Sequence, residues 1–156
     1  MDTKEILLKA VEYARQTMKE NIGGPFGAAL VDQEGKIYLA SNSVLGSHDP
    51  TAHAEVNVIR KACEDKKTHD LSGCILYTTC YPCPMCLSAS IWANIKEIHY
   101  GCTPQDAASI GFRDDFIYTY IQGNCTDTSV VTLHGDSRET CLTLFSEYAA
   151  LKKEIY

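Results

Sequence analysis

The sequence predicts an α/β layered domain. An amphipathic helix opens the chain, two short β-rich runs joined by a turn follow it, and helix signals then alternate with strand signals to the end. A length of 156 residues suits one domain with a sizeable core, and 45% hydrophobic and 22% charged residues lie near globular averages. Repeats, low-complexity segments and linkers are absent from the pattern.

In order, residues 3–20 carry Ile6, Leu7, Ala10, Val11, Ala14 and Met18 at a 3.6-residue period, with Asp2 or Thr3 placed as cap. Ile22-Gly23-Gly24-Pro25 breaks that helix. Residues 26–31 and 36–41 read as a hairpin around Asp32-Gln33-Glu34-Gly35. Asp49-Pro50-Thr51 signals the start of a helix that runs to about Cys63. Residues 74–78 predict a short strand, Pro84 opens a helix to about Ala93, and residues 95–101 include another strand. Residues 103–109 predict a short helix, 129–133 a last strand, and 137–153 a closing helix that spaces Leu142, Phe145, Tyr148 and Ala149 along one side.

Composition narrows the classes of function. The net charge is −6, and the nearest things to basic patches, Arg60-Lys61 and Lys66-Lys67, are interleaved with Glu64 and Asp65. Nucleic acid is therefore not expected as the main partner, because phosphate backbones are bound by clustered cations. No apolar run reaches the roughly 20 residues of a membrane span. Residues 1–5 open an amphipathic segment and not a basic, then apolar, leader, so neither membrane nor signal peptide is expected. The eight cysteines fit a cytoplasmic protein better than a disulfide framework, since a core of this size needs no staples. Cys63, Cys74, Cys102, Cys125 and Cys141 lie scattered in apolar stretches and are expected to be buried thiols.

A split motif carries the chemistry: His53-Ala54-Glu55, then Pro82-Cys83-Pro84-Met85-Cys86. One imidazole and two thiolates make three ligands for zinc, one fewer than a structural site takes, which leaves a position open for water. Both halves sit near predicted helix starts, where unpaired N–H groups and the helix dipole favour thiolate. Cys83 and Cys86, three apart, place their sulfurs on one face of a first turn. His53 and Glu55 are two apart and diverge on a regular helix, so Glu55 is expected not as a ligand but as an acid/base beside the metal. The competing reading is a closed zinc staple that recruits Cys80, which the Cys80-x-x-Cys83-x-x-Cys86 spacing permits.

Over nearly its whole length the chain resembles the zinc-dependent cytidine and deoxycytidylate deaminase superfamily, whose signature is H-x-E…P-C-x-x-C. Within it, the chain is most similar to bacterial guanine deaminases, through Gly23-Gly24-Pro25-Phe26-Gly27-Ala28, Asn42, Asp49 to Val56, Gly111-Phe112, Asp114, Phe116-Ile117-Tyr118 and the terminal Lys153-Glu154-Ile155-Tyr156. The resemblance implies a three-layer fold with a mixed five-stranded sheet between helices. It implies Zn²⁺ on His53, Cys83 and Cys86, proton transfer by Glu55, stacking of a purine on Phe26, and a hydrogen bond from Asn42 to its edge. Asp114 would read the N–H edge and assist the departing amine. The implied reaction converts guanine, a small-molecule nucleobase, to xanthine and ammonia. It further implies a homodimer whose C-terminal segment crosses to the neighbour, placing Tyr156 over the partner's substrate. The backbone N–H of Ala54, between ligand and base, is a candidate donor to that substrate.

Tyr81 departs from the pattern, in which Glu precedes Pro-Cys, and this bears on substrate choice more than on the reaction. Guanosine, cytosine or an aminotriazine are the alternative substrates, and a tRNA adenosine deaminase would need a basic face. A non-catalytic zinc-stabilised module is the alternative of another class. Read without the resemblance, Phe26 is a core aromatic, Asn42 a turn residue, Asp114 a solvated loop charge and Tyr156 a frayed terminus.

Overall fold

A computed structural model describes all residues from Met1 to Tyr156. They group into two compact units, Met1–Tyr118 and Thr119–Tyr156. In chain order the elements are α1 (Thr3–Lys19), β1 (Gly27–Val31), β2 (Ile37–Ser41), α2 (Val44–Ser47), α3 (Ala54–Lys66), β3 (Ile75–Cys80), α4 (Pro84–Trp92), β4 (Glu97–Cys102), α5 (Pro104–Ser109), α6 (Asp115–Gln122) and α7 (Arg138–Leu151).

The first unit is a three-layer sandwich. Its four strands run in the order β2-β1-β3-β4, with β1 antiparallel to β2 and β3, and β3 parallel to β4. Alternation along the strands divides the core in two. Ala28, Leu30 and Leu76 face α3 with Ala54, Val58 and Ala62. Ala29 and Tyr77, between them in sequence, face α1 with Ile6 and Ala10. Gly27 permits the second packing, because a Cβ there would stand 2.2 Å from the carbonyl oxygen of Ala10.

Asp2 caps α1 through a capping box with Glu5. Helix α3 begins later than the Asp-Pro-Thr signal implies. Asp49 accepts hydrogen bonds from the N–H and hydroxyl of Thr51, which makes a turn of that stretch and delays α3 to Ala54. The expected fifth strand does not form at residues 129–133. A turn closes there instead, with the N–H of Ser129 on the Asp127 carboxylate and that of Val130 on the Asp127 carbonyl. Two helices lacked a sequence signal, α2 and α6. Of the cysteines expected to be buried, Cys102, Cys125 and Cys141 are exposed.

In the second unit, α7 buries none of its residues, and Tyr148 donates its hydroxyl hydrogen bond to the carbonyl of Glu154.

Candidate active site

Two helix caps meet at one end of the sheet. His53 is the N-cap of α3 and Cys83 the N-cap of α4, both with extended backbone and neither using its side chain to cap its own helix. Ser, Thr or Asp in these places would turn back onto the helix N–H groups. Here the imidazole and thiol turn toward each other. Because His53 stands outside the helix proper, Glu55 in the first turn reaches the same region, which resolves the divergence expected of residues two apart. Pro84 opens α4 at a position whose N–H is not needed, and Cys86 follows in its first turn, fully buried.

The ligand geometry fits zinc. The Nδ1 of His53 lies 3.5 Å from the sulfurs of both Cys83 and Cys86. A tetrahedral zinc with Zn–S of about 2.3 Å and Zn–N of about 2.0–2.1 Å requires N···S edges of about 3.6 Å. All three ligand atoms fall within 4.8 Å of one another. Cys80 is outside this group. It ends β3 as a packed residue, with its thiol 3.6 Å from the carbonyl of Thr103, so a closed staple using Cys80 is not what forms.

The electrostatics are those of a thiolate site. Hydrogen bonds from Cys86 and His53 hold the Cys83 thiol well below the usual range, while the thiolate beside it and burial push Cys86 up. Partnership with Cys83 raises the His53 pKa. Burial pushes the Glu55 carboxyl up to about 7, where one group can both take and return a proton at neutral pH. Burial also raises Asp114, and the nearby Cys83 thiolate adds to the shift.

A cavity of about 610 Å³ opens over these groups. His53, Glu55, Cys83, Asp114, Phe26 and Asn42 all line it, so the structure brings the sequence-predicted residues of the first unit to one space. Cys86 lies behind the wall, and Ala54 is fully buried at the first position of α3, where its N–H has no acceptor within the helix. Tyr156 belongs to the second unit and is 81% exposed.

Phe26 and Asn42 are held as a pair. The N–H of Asn42 donates to the carbonyl of Phe26 at 2.9 Å, and the Oδ1 of Asn42 accepts from Gly24 and Val44 at 3.3 and 3.0 Å. The carbonyl side of the amide is thus spent on the loop, and its NH₂ is the part left to offer a ligand. Gly23 makes room for this arrangement, since a Cβ would stand 1.9 Å from the Asn42 carbonyl oxygen.

Three residues to which the sequence assigns no contact also support the site. Phe112 meets Phe26 edge to face, with centroids 5.1 Å apart at 89°. Tyr81 lines the cavity and packs edge-on against Tyr100 at 4.9 Å. Tyr118 donates its hydroxyl hydrogen bond to the Pro82 carbonyl at 2.8 Å. Tyr81 already stands out in the sequence as the departure before Pro-Cys, and Phe112 falls in the guanine-deaminase-like stretch, but nothing local in the sequence signals the partner of Tyr118.

A sandwich of this kind, with one histidine, two cysteines and a buried carboxylate at helix starts, defines a zinc-dependent hydrolytic deaminase. Known proteins agree. A sequence model of the cytidine and deoxycytidylate deaminase zinc-binding region matches residues 1–102. The guanine deaminase of Bacillus subtilis (strain 168) is 48% identical over 121 residues, 78% of either chain. The tRNA-specific adenosine deaminase of Buchnera aphidicola subsp. Schizaphis graminum is 40% identical over 102 residues, 65% of either chain. The X-ray structure of guanine deaminase from Bacillus subtilis superimposes with a TM-score of 0.91 and 39% identity, covering 100% of this chain and 99% of that one. The chain belongs to the cytidine and deoxycytidylate deaminase family.

Proposed function

We propose that this chain deaminates guanine hydrolytically, giving xanthine and ammonia. The observation that carries the reading is the single cavity that brings Glu55 and Asp114 to the His53 and Cys83 ligands, with Phe26 and Asn42 on its wall. Similarity to a guanine deaminase along most of both chains supports the substrate.

His53, Cys83 and Cys86 would hold the zinc. When bound, the metal supplies Lewis-acid activation of the attacking water near neutral pH. Glu55 takes one proton from that water as its oxygen adds to C2 of guanine, and delivers it to the ring nitrogen beside C2. The resulting C2 carries both hydroxyl and amino groups. Glu55 then moves the hydroxyl proton to the amine, Asp114 supports that transfer by hydrogen bonding, and ammonia leaves as the C2 carbonyl forms. A carboxyl buried to a pKa of about 7 suits both transfers. Phe26 offers a ring face to the purine, the Asn42 amide donates to an acceptor on its edge, and the Ala54 N–H is a further donor.

The same reading makes the chain one deaminase domain working as a homodimer, with the C-terminal segment exchanged so that Tyr156 closes the partner's pocket. Support comes from the second unit, where Leu144, Phe145, Leu151 and Ile155 are all more than half exposed. A site that needs two thiolates, in a chain whose eight cysteines are free, suits the reducing cytoplasm.

An ammonia-release screen of the zinc-loaded protein with guanine, guanosine, cytosine, adenine and tRNA tests the proposal. Turnover of guanine above the others is expected. Guanine inert while another substrate turns over overturns the substrate assignment, and no ammonia from any of them overturns the function.

A further inference from the structure

The loop between β3 and α4 has an unusual support. This loop, residues 81–83, delivers Cys83 to the cavity. One end is pinned by backbone, through the Tyr81 N–H on the carbonyl of Cys102 at 2.8 Å. Pro82 has no N–H, and its carbonyl faces a side chain instead, accepting from the Tyr118 hydroxyl at 2.8 Å. Pro82 is buried, so without Tyr118 that carbonyl would lose its protein partner in a place poor in water. Tyr118 lies in the first turns of α6, four residues after Asp114, in the compact unit that also holds the cavity. One hydrogen bond thus joins the segment that carries Asp114 to the loop that carries Cys83.

We propose that Tyr118 is a positioning residue: its hydroxyl, holding the Pro82 carbonyl, sets the Cys83 loop and the Asp114 segment in fixed relation. The inference deepens the proposed function, and rests on it for the role of Asp114. The group is suited to permanent duty as a donor. Burial first, and then nearby Tyr81 and Asp114, push its pKa up to about 12, so the O–H stays intact across the working pH range. Its neighbour Tyr120 supplies an internal comparison, because that hydroxyl is buried with no hydrogen-bond partner.

The test pairs Tyr118→Phe with Tyr120→Phe, each removing one oxygen and keeping the ring. The first readout does not involve substrate: the rate at which zinc passes from the holoprotein to a chromogenic chelator. Loss of a hydrogen-bond partner of a metal ligand typically costs 10–100-fold in metal affinity or activity; the Tyr118 bond acts one residue from Cys83, so Tyr118→Phe should release zinc at the low end of that range, about tenfold faster. Tyr120→Phe should match the unsubstituted protein. Equal release rates for Tyr118→Phe and the unsubstituted protein, or equal acceleration in both variants, overturn the proposal.

The second readout is a double-mutant cycle with Asp114→Asn on guanine turnover. With zinc kept saturating, so that loss of metal does not enter, Tyr118→Phe should lower kcat/KM about tenfold on its own and less than twofold in the Asp114→Asn background, because the placement of Asp114 is by then worthless. Full additivity would mean that the two residues act separately, and overturns the link to Asp114. If the unsubstituted protein leaves guanine untouched, the proposed function fails instead, and the zinc-release comparison still decides the role of Tyr118 in the Cys83 loop.

Discussion

The two compact units use apolar residues in opposite ways. In Met1–Tyr118, Leu30, Leu71 and Leu76 are fully buried, the helix that His53 caps packs on a sheet whose two faces are both covered, and the helix that Cys83 caps packs on that helix. In Thr119–Tyr156, Leu144 and Phe145 are 67% and 75% exposed, and α7 has no buried residue. The first unit supplies its own core, so its site groups inherit fixed positions. The second carries an apolar surface that only becomes useful against something else. The His53, Cys83 and Cys86 cluster and Glu55 therefore belong to the unit with its own buried core, and Tyr156 to the stretch without one.

The largest effects should come from the first unit. Cys83→Ala removes one of three ligands from a site with no spare, so zinc content should fall from stoichiometric to near zero and activity with it. Metal analysis after dialysis checks this, and normal zinc affinity would remove Cys83 from the ligand set. Next comes Glu55→Gln, which keeps shape but cannot carry a proton. It should retain zinc and lose roughly 10² to 10⁴-fold in turnover. Near-normal turnover in the zinc-loaded variant would end the acid/base role.

A matched pair addresses the contrast itself. Leu76→Ala empties a fully buried position shared with α3 and should cost about 2–5 kcal/mol of stability. Phe145→Ser, at an exposed position, should change the stability of the isolated chain by less than about 0.5 kcal/mol while weakening self-association. Denaturant unfolding of both, with sedimentation of the second, separates the two units. A large loss of stability with Phe145→Ser and no change in association would refute the contrast.

How much of this was legible beforehand follows the same division. That His53, Cys83 and Cys86 meet, with Glu55 beside them, could be read because their spacing matches the donor set of a zinc site at helix starts. The strands could be read because Ala28, Leu30 and Leu76 alternate with Ala29 and Tyr77 on a sheet covered on both faces. Residues 129–133 misled because two valines and a leucine have strand propensity wherever they occur, whereas the Asp127 side chain decides the local backbone. Helix α6 escaped notice because Asp115–Gln122 is only eight residues long, too short for a helical period to stand out. The Tyr118–Pro82 bond was illegible for another reason: it joins residues 36 apart in sequence and leaves no periodic trace.

The smallest effect expected on catalysis, and the sharpest for the contrast, concerns Tyr156. If its ring closes a pocket as proposed, it adds at most an aromatic contact to a bound purine, of the order of 0.5–1.5 kcal/mol, so Tyr156→Ala should raise KM about two- to tenfold with little change in kcat. That number alone does not say whose pocket the ring covers. Co-expression with the Glu55→Gln chain does. In an exchanged dimer of the two variants, the site with intact Glu55 lies in the Tyr156→Ala chain and receives its closing residue from the other chain, where Tyr156 is intact. Purified heterodimers should then recover the unsubstituted KM at half the total turnover. If each tail served its own chain, the only active site would lack its tyrosine and KM would stay raised. That result would confine the tail to its own pocket and remove the need for exchange.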